Sequence, residues 1–425
     1  MNSARIDQSI LSSVAWPSGW RTVPLWAMFD RIKDVGHPYE ELLSVYRDYG
    51  VVKRESRDDN FNKAAPDRNI YQLIGPGWLV VNRMKAWQGS VGISKYRGIV
   101  SGHYICFRPN HREEGRFLNW LLRSGIYATE FASLSRGVRP GQVEIDNDLL
   151  RVLPVKIPPV GEQRRIADFL DAEIGYIDAL LDARKRQLDR LKELWTSSLA
   201  ARVESMIAEH GIVRLRRVVR SVEQGWSPQC EDAPAGPDEW AVLKTSSVSS
   251  GVFRPMEHKR LPGGLHPDLR YRILDGDLLM TRGSGSTEHV GVSTVANTEG
   301  RNLLLSDLLY RIRTDREWSP EFVALMLRSR PVRGFMSLLM RGQSGQTIKL
   351  RSEDIKEIHV PSVPVEQQVR ITADLTAEER RIEATRAAIE TSSALLSESR
   401  QALITAAVTG QLDVTTARPT HDRNL

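Results

Sequence analysis

Apolar residues recur at spacings of three, four or seven along a proline-free stretch from Gly161 to about Glu209. The members of this stripe are Ile166, Leu170, Ile174, Ile177, Leu181, Leu188, Leu191, Trp195, Leu199, Val203 and Met206. Such spacing is typical of an α-helix that packs along another helix. At 1.5 Å per residue, a helix of about 45–50 residues forms a rod roughly 70 Å long.

A second, weaker stripe follows Pro364, with Thr, Ser and Ala at several of its positions. Its apolar members are Ile371, Leu375, Ile382, Ile389, Leu396 and Leu403. Prolines precede both stripes, and a proline holds the residue before it extended and stops a helix from extending backwards. We therefore predict two long antiparallel helices that bury their stripes against each other.

The segment before each helix is repeated along the chain. The stretch "PPVGEQRRIADFL" at 158–170 matches "VPVEQQVRITADL" at 363–375, and Ile166 and Ile371 lie 205 positions apart. Upstream, "FLNWLLRS" matches "FVALMLRS" at the same offset, whereas "PGWLVVNR" matches "DGDLLMTR" at an offset of 199. An ordered series of matches with one small insertion indicates a duplicated unit.

Each unit begins with a globular module that mixes short β-like runs such as "WLVVN", "HYICF" and "DLLMT" with a short amphipathic helix, "RFLNWLLRSGIY" or "PEFVALMLRSR". We therefore predict an α+β protein with an internal pseudo-twofold repeat. The predicted divisions are module 1 at 1–159, a central helix at 160–209, module 2 at 210–363, a C-terminal helix at 364–413 and a polar tail at 414–425.

Composition narrows the class of protein only moderately. The formal charge of +6 and the pI of about 9.3 are compatible with a polyanionic partner. Two cysteines without a CxxC, no long apolar run and no signal-peptide pattern predict a cytoplasmic protein that has no contact with a membrane. We find no phosphate loop, dinucleotide fingerprint or adenine-methyltransferase motif, so we expect neither a cofactor, nor a metal, nor catalytic residues.

The proline–glutamine junction and the ending "LITAAVTGQLDV" together resemble the specificity subunit of Type I restriction–modification enzymes. The stretch "GDLLMTRGSGS" at 276–286 resembles the strand and loop of a target recognition domain in that family. The resemblance implies that the two modules are target recognition domains, each reading one half of a bipartite site in double-stranded DNA. It also implies that the helices separate the half-sites and bind two methyltransferase subunits. Catalysis would belong to these and to the ATP-dependent restriction subunits.

The candidate DNA-binding residues lie in matching loops of the two modules, since readers of DNA need cations for phosphates and polar side chains for base edges. They are Arg83, Lys85, Trp87 and Gln88 in the first loop, Arg282, Ser284, Ser286 and His289 in the second, and Gln343 and Lys349 in the polar stretch "GQSGQTIK". An ordinary solvated hairpin loop explains the same composition. The basic run "RLRRVVR" at 214–220 fits a phosphate-facing patch or a solvated strand face equally well.

Two other functions remain open at this point. Asp238, Glu257 and Lys259 match the loose spacing of a Mg²⁺-dependent nuclease, but that chemistry needs its carboxylates on adjacent buried strands, and these segments are polar. A coiled-coil scaffold whose modules bind protein is the third possibility. Cleavage by the isolated chain favours the nuclease, and a gel shift separates the DNA reader from the scaffold.

Overall fold

The computed structural model describes residues 9–56, 65, 67–137, 143–342 and 348–415. The chain folds into two compact units: residues 1–185 with 390–425 form unit 1, and residues 186–389 form unit 2. Each unit therefore contains part of both long helices. Most of the predicted polar tail, residues 416–425, lies outside the described residues.

Unit 1 begins with twelve described strands and three short helices. The strands are β1 Arg21–Pro24, β2 Phe29–Ile32, β3 Leu43–Tyr46, β4 Gly50–Lys53, β5 Gln72–Ile74, β6 Leu79–Asn82, β7 Val91–Ile93, β8 Gly98–Val100, β9 Tyr104–Pro109, β10 Ser135–Arg136, β11 Glu144–Ile145 and β12 Pro154–Ile157. The helices are α1 Gly115–Arg123, α2 Gly125–Ser133 and α3 Asn147–Arg151, and the long helix α4, Val160–His210, follows them.

An antiparallel sheet of order β2-β9-β6-β7 forms the centre of unit 1. Successive side chains of a strand point to opposite faces, so the buried run of β6 serves two cores. Leu79 and Val81 pack with α1, α2 and the long helices, whereas Val80 packs with Cys106 and with β3, β4, β5 and β8. Burial raises the pKa of the Cys106 thiol to about 12, which makes it a packing residue rather than a reactive one.

Unit 2 repeats this plan with its own strands and helices. The strands are β13 Ile212–Arg214, β14 Val219–Gln224, β15 Trp240–Leu243, β16 His258–Arg260, β17 Leu278–Thr281, β18 Gly283–Ser284, β19 Ser293–Val295, β20 Asn302–Leu304, β21 Leu309–Thr314, β22 Ile348–Lys349 and β23 His359–Pro361. The helices are α5 Pro320–Arg328, α6 Arg330–Leu339, α7 Ser352–Lys356 and the long α8, Val365–Val408.

The central sheet of unit 2, β14-β21-β17-β19, has the same connectivity as that of unit 1. Its strand β17 also divides its side chains between two cores, because Leu278 and Met280 face the helices and Leu279 faces β15 and β20. The duplication and the α+β class predicted from the sequence are thus confirmed. One local expectation is wrong: the single amphipathic helix "RFLNWLLRSGIY" is two helices, because Ser124 between α1 and α2 has an extended ψ of 156°.

The long helices α4 and α8 contain 51 and 44 residues. Within unit 1, Arg400 of α8 pairs with Asp178 of α4 (2.8 Å), and the start of α4 lies beside Trp20, which contacts the segment after α8. Within unit 2, Arg202 of α4 pairs with Glu378 of α8 (3.1 Å). The helical parts in each unit therefore run antiparallel, as predicted.

The stripe of α4 is buried most deeply at its two ends. Ile166, Leu170 and Ile174 join the core of unit 1, and Leu199 and Val203 join that of unit 2. The stripe residues from 181 to 195 are only partly buried. The predicted burial of one stripe against the other is thus incomplete, because the ends pack into the globular cores. None of the helices in the described part of the chain combines the length and the apolar composition of a membrane span.

One buried glutamine holds the start of each long helix. Gln163 accepts a hydrogen bond from the N–H of Glu114 (2.8 Å), the N-cap of α1, and donates to the carbonyl of Pro158 (2.8 Å). Gln368 likewise accepts from the N–H of Ser319 (2.9 Å), the N-cap of α5, and donates to the carbonyl of Val363 (2.8 Å). The repeated glutamine thus joins the end of a strand, a long helix and a short helix at one point.

Segments around Pro17 and Gly410 meet in unit 1 at the place where one continuous segment, the end of α4 and β13, lies in unit 2. In unit 2, α4 leads through Gly211 (φ +73°) into β13, which pairs with β23. In unit 1, α8 leads into Gly410 (φ +71°), where a Cβ atom would lie 2.4 Å from Pro17, shortly before β1 and its partner β12. Both positions need glycine, since a positive φ strains other residues.

We predict that Gln163→Leu lowers the free energy of unfolding of unit 1 by about 1–3 kcal/mol, because it leaves a buried carbonyl and a helix N-cap N–H without partners. Urea unfolding measures the change. Gln401→Leu, at an exposed position of α8, is the matched control and should change stability by less than about 0.5 kcal/mol. Equal effects of the two variants would contradict the role assigned to Gln163.

Candidate nucleic-acid interface

The loop after β6 in unit 1 is folded tightly on itself. Asn82 accepts a hydrogen bond from the N–H of Met84 (3.1 Å), and the indole N–H of Trp87 donates to the carbonyl of Met84 (3.0 Å). A 3₁₀ turn at Ala86–Gln88 follows and ends at Gly89, whose φ is +84°. The indole N–H of Trp87 therefore stabilises the loop, while the side chains of Lys85 and Gln88 are exposed.

The loop after β17 in unit 2 is closed by a hydroxyl instead. Thr281 donates to the carbonyl of His289 (2.6 Å) and accepts from the N–H of Val292 (2.9 Å), which ties the two sides of the loop together. Ser286 caps a 3₁₀ turn at Thr287–His289. Thr281 occupies the place that Asn82 has in unit 1, so two different side chains close equivalent loops.

A short two-stranded ribbon lies beside each loop. It consists of β10 and β11 in unit 1 and of the paired segments at Arg341 and Lys349 in unit 2. In unit 1, β10 pairs with β11, and the N–H of Ile145 donates to the carbonyl of Arg83 (3.1 Å). In unit 2, β18 pairs with β22, and the N–H of Leu350 donates to the carbonyl of Arg282 (3.0 Å). Arg341 and Lys349 exchange two backbone hydrogen bonds of 3.0 and 2.9 Å. The main chain of loop and ribbon is therefore joined by the same hydrogen bond in both units.

The loop arginines differ in their partners although their main chains match. Arg83 forms an ion pair with Glu144 of its ribbon (2.8 Å). The guanidinium of Arg282 instead donates from Nε to the hydroxyl of Tyr310 (3.2 Å) and lies 6.0 Å from the centre of that ring. Arg282 is thus half-buried against the sheet, whereas Arg83 is exposed.

The structure gathers the predicted residues into one cluster in each unit. Unit 1 brings together Arg83, Lys85, Trp87 and Gln88, and unit 2 brings together Arg282, Ser284, Ser286, His289 and, through β18·β22, Lys349. Gln343 lies outside the described residues. Their contact with DNA stays a prediction.

The sequence did not predict that Arg333 supports the loop after β17. Arg333 of α6 donates to the carbonyls of Thr287 (3.0 Å), Glu288 (3.2 Å) and Val290. Burial lowers the pKa of the Arg333 guanidinium from its usual value, but an arginine remains cationic at neutral pH. No sequence signal marks it, because the matching position in the first unit is Ala128, in contact range of Gly89.

The basic run at 214–220 is largely paired with carboxylates. Arg214 and Arg216 both contact Glu357, at 3.3 and 3.1 Å, and Arg220 contacts Asp315 at 2.9 Å. Among its arginines, Arg217 forms no ion pair with the described residues. Three of the four cations therefore serve pairs on the surface of unit 2.

The residues of the nuclease-like pattern have separate partners. Glu257 accepts a hydrogen bond from Ser246 (2.6 Å), and Lys259 lies 3.5 Å from Asp232 rather than beside Asp238. His258 between them is buried and bonds to the main chain at Ala235 and Pro255. Within the described ranges, no group of three or more His, Cys, Asp or Glu residues is placed to hold a metal ion.

Comparison with known proteins agrees with this duplicated architecture. Residues 17–190 match the family described as "Type I restriction modification DNA specificity domain". The chain is 25% identical over 393 residues to the EcoKI specificity subunit of Escherichia coli K12, covering 85% of this chain and 82% of that protein. It is 26% identical over 383 residues to the StySPI specificity subunit of Salmonella potsdam, covering 84% and 81%.

A solved chain from a study of the assembly and conformational transition of the type I R-M system has a similar fold. The TM-score is 0.67 at 15% identity, and the match covers 94% of this chain and all of that one. Two α+β units, each with a polar loop joined to a short ribbon, define the duplicated architecture of a DNA-recognition subunit. Residues 17–190 match the model of the Type I specificity domain, and the chain is similar to Type I restriction–modification specificity subunits over most of its length.

We predict that Arg333→Met loosens the loop after β17, because three carbonyls lose their donor. Amide hydrogen exchange of residues 284–291 should accelerate by about tenfold or more, while exchange in α5 stays unchanged, since local opening of a loop does not require unfolding of the core. Lys356→Met, on the exposed side of α7, is the control. Unchanged exchange in the loop of the Arg333 variant would show that it does not support the loop.

Proposed function

We propose that this chain reads a bipartite site in double-stranded DNA within a restriction–modification complex, with one half-site read by each unit. The observation that carries the proposal is the pair of equivalent loop-and-ribbon clusters. Their main chains are joined by the same hydrogen bond, from Ile145 to Arg83 and from Leu350 to Arg282. Their side chains differ at most positions, as two readers of different sequences require.

The chemistry of the clusters suits a DNA groove. Arginine and lysine bind phosphates or the acceptors of guanine, and serine and glutamine bind base edges of either kind. Gly285 is exposed and carries no side chain, so the main chain of the second loop is able to approach a groove closely there, whereas Gly283 is buried in β18. The loops stand on buried central sheets, which hold these groups in fixed positions.

The long helices provide the scaffold in this proposal. Each begins at the same proline–glutamine junction, so two methyltransferase subunits would meet equivalent surfaces. The partly buried stripe between residues 181 and 195 supports docking along the helices, because apolar side chains there remain accessible. Restriction subunits would join the same complex. We place the complex in the cytoplasm, where the DNA it reads is located.

The exchange of one unit tests the recognition model. Replacing residues 212–360 with the matching region of a relative should change one half of the methylated motif and leave the other half intact, because each unit has its own sheet and its own loop. Methylome sequencing of cells carrying the chimaera and the methyltransferase reads the motif. A change in both halves at once would sink the one-unit, one-half-site proposal.

We further predict that the isolated chain is not an enzyme. With S-adenosylmethionine, ATP and Mg²⁺ it should neither methylate nor cut a DNA duplex, and methylation should begin when methyltransferase subunits are added. Native mass measurement of the active complex should give two methyltransferases per chain. Cleavage by the chain alone would favour the nuclease alternative, and one methyltransferase at saturation would contradict equivalent docking surfaces.

A further inference from the structure

The ribbons of the two units carry opposite charges at the same main-chain position. Arg136 lies opposite Glu144 in unit 1, and Arg341 lies opposite Lys349 in unit 2. Glu144 and Lys349 each directly precede the residue whose N–H bonds to the carbonyl of the loop arginine. The two side chains are therefore matched by backbone geometry as well as by sequence offset.

The next charged position strengthens the contrast. Asp146 precedes α3 in unit 1 and caps that helix by accepting from the N–H groups of Asp148 and Leu149 (3.0 and 3.1 Å). Arg351 precedes α7 at the matching place in unit 2, forms no side-chain cap and is exposed. The ribbon of unit 2 therefore carries Arg341, Lys349 and Arg351, with the carboxylates of Asp354, 3.4 Å from Arg341, and of Glu353 nearby.

The loops carry charge in the reverse order. Exposed Lys85 is in the loop of unit 1, where unit 2 has the neutral Ser284, and the loop of unit 2 carries the exposed acid Glu288. Both loops share an arginine, Arg83 or Arg282, and both ribbons share another, so the units differ in one added cation on the loop of unit 1, Lys85, and two on the ribbon of unit 2, Lys349 and Arg351. The added cations favour phosphate contact by the loop in unit 1 and by the ribbon in unit 2.

The chemistry of the two side chains separates their roles. A carboxylate only accepts hydrogen bonds and is repelled by phosphates, so at a DNA surface its favourable partners are the amino groups of cytosine and adenine. A lysine only donates, and where it pairs with a phosphate it acts as a point charge that binds without regard to sequence. Glu144 is 43% exposed and is held in place by Arg83 at 2.8 Å, so it is both oriented and accessible.

We propose, on the basis of the DNA-reading function above, that Glu144 is a specificity-determining residue of unit 1 and that Lys349 anchors unit 2 on a phosphate. Glu144 penalises every sequence that presents no amino group to it, because Arg83 pairs with one carboxylate oxygen and the other then faces the duplex without a donor. Lys349 contributes to affinity for all sequences alike. The same backbone position therefore discriminates in one unit and anchors in the other.

Two substitutions at this position test the proposal, Glu144→Gln and Lys349→Met. Each removes one charge; glutamine has the same length as glutamate, and methionine is one atom shorter than lysine. Lys259→Met, which removes a charge on β16 where Lys259 faces Asp232, is the control. Binding is measured with the full chain and its methyltransferase subunits, on duplexes selected from a random pool and on all single-base changes of both half-sites, between 50 and 300 mM salt.

Lys349→Met should weaken binding by the same factor for every duplex and reduce the slope of log affinity against log salt by about 0.9, the value for one lost phosphate contact. Lys349→Arg keeps the positive charge and should therefore have the same salt slope as the wild type. Glu144→Gln should lower the discrimination against mismatches in the half-site of unit 1 about tenfold and leave the other half-site unchanged. Lys259→Met should alter neither quantity, and the melting temperatures should match that of the wild type.

The inference is overturned if Glu144→Gln preserves discrimination, or if Lys349→Met leaves the salt slope unchanged or affects only certain sequences. These outcomes leave the proposed function standing, since the wild-type complex still selects a bipartite sequence. A wild-type complex that selects no sequence from the pool overturns the proposed function itself, and the inference with it.

Discussion

A single buried amide at the start of each long helix fixes the geometry on which the rest of the protein depends. Gln163 has no exposed surface, so both ends of its side chain must find partners within the protein. They bond to Pro158, at the end of β12, and to Glu114, the N-cap of α1, which are far apart in the sequence. Rotating or sliding the helix would break both bonds, so they hold the start of α4 against the end of β12 and the N-cap of α1.

The backbone of each unit does not depend on which side chains its loops expose. Buried strands such as β6 and β17 have side chains in two cores, so their ends cannot shift without disturbing both. The loops that follow them are closed by Asn82 in one unit and by Thr281 in the other. Different closing groups preserve one backbone path, which lets the exposed residues vary with the DNA to be read while the fold stays the same.

Electrostatics then distinguishes two units that share one backbone plan. Many of the surface cations are already paired, including Arg214 and Arg216 with Glu357. Net charge therefore says little about where a polyanion binds, and the informative quantity is which cations stay unpaired beside the loops. Exposed ion pairs add little to stability, so exchanging acid for base on a ribbon alters binding more than folding.

The sequence by itself determined the duplication, the two long helices and the loops in which the candidate residues lie. These follow from periodicity and from matches at fixed offsets, which are local properties that survive without knowledge of the fold. The tertiary structure decided which distant segments complete each unit: the end of α8 joins unit 1 beside Pro17, and Glu144 and Lys349 reach their loops from more than 60 positions away. Arg333 was likewise invisible, because its role depends on carbonyls over 40 positions upstream and its counterpart in unit 1 is an alanine. Side-chain partners of this kind arise from packing between segments, and no pattern along the chain encodes them.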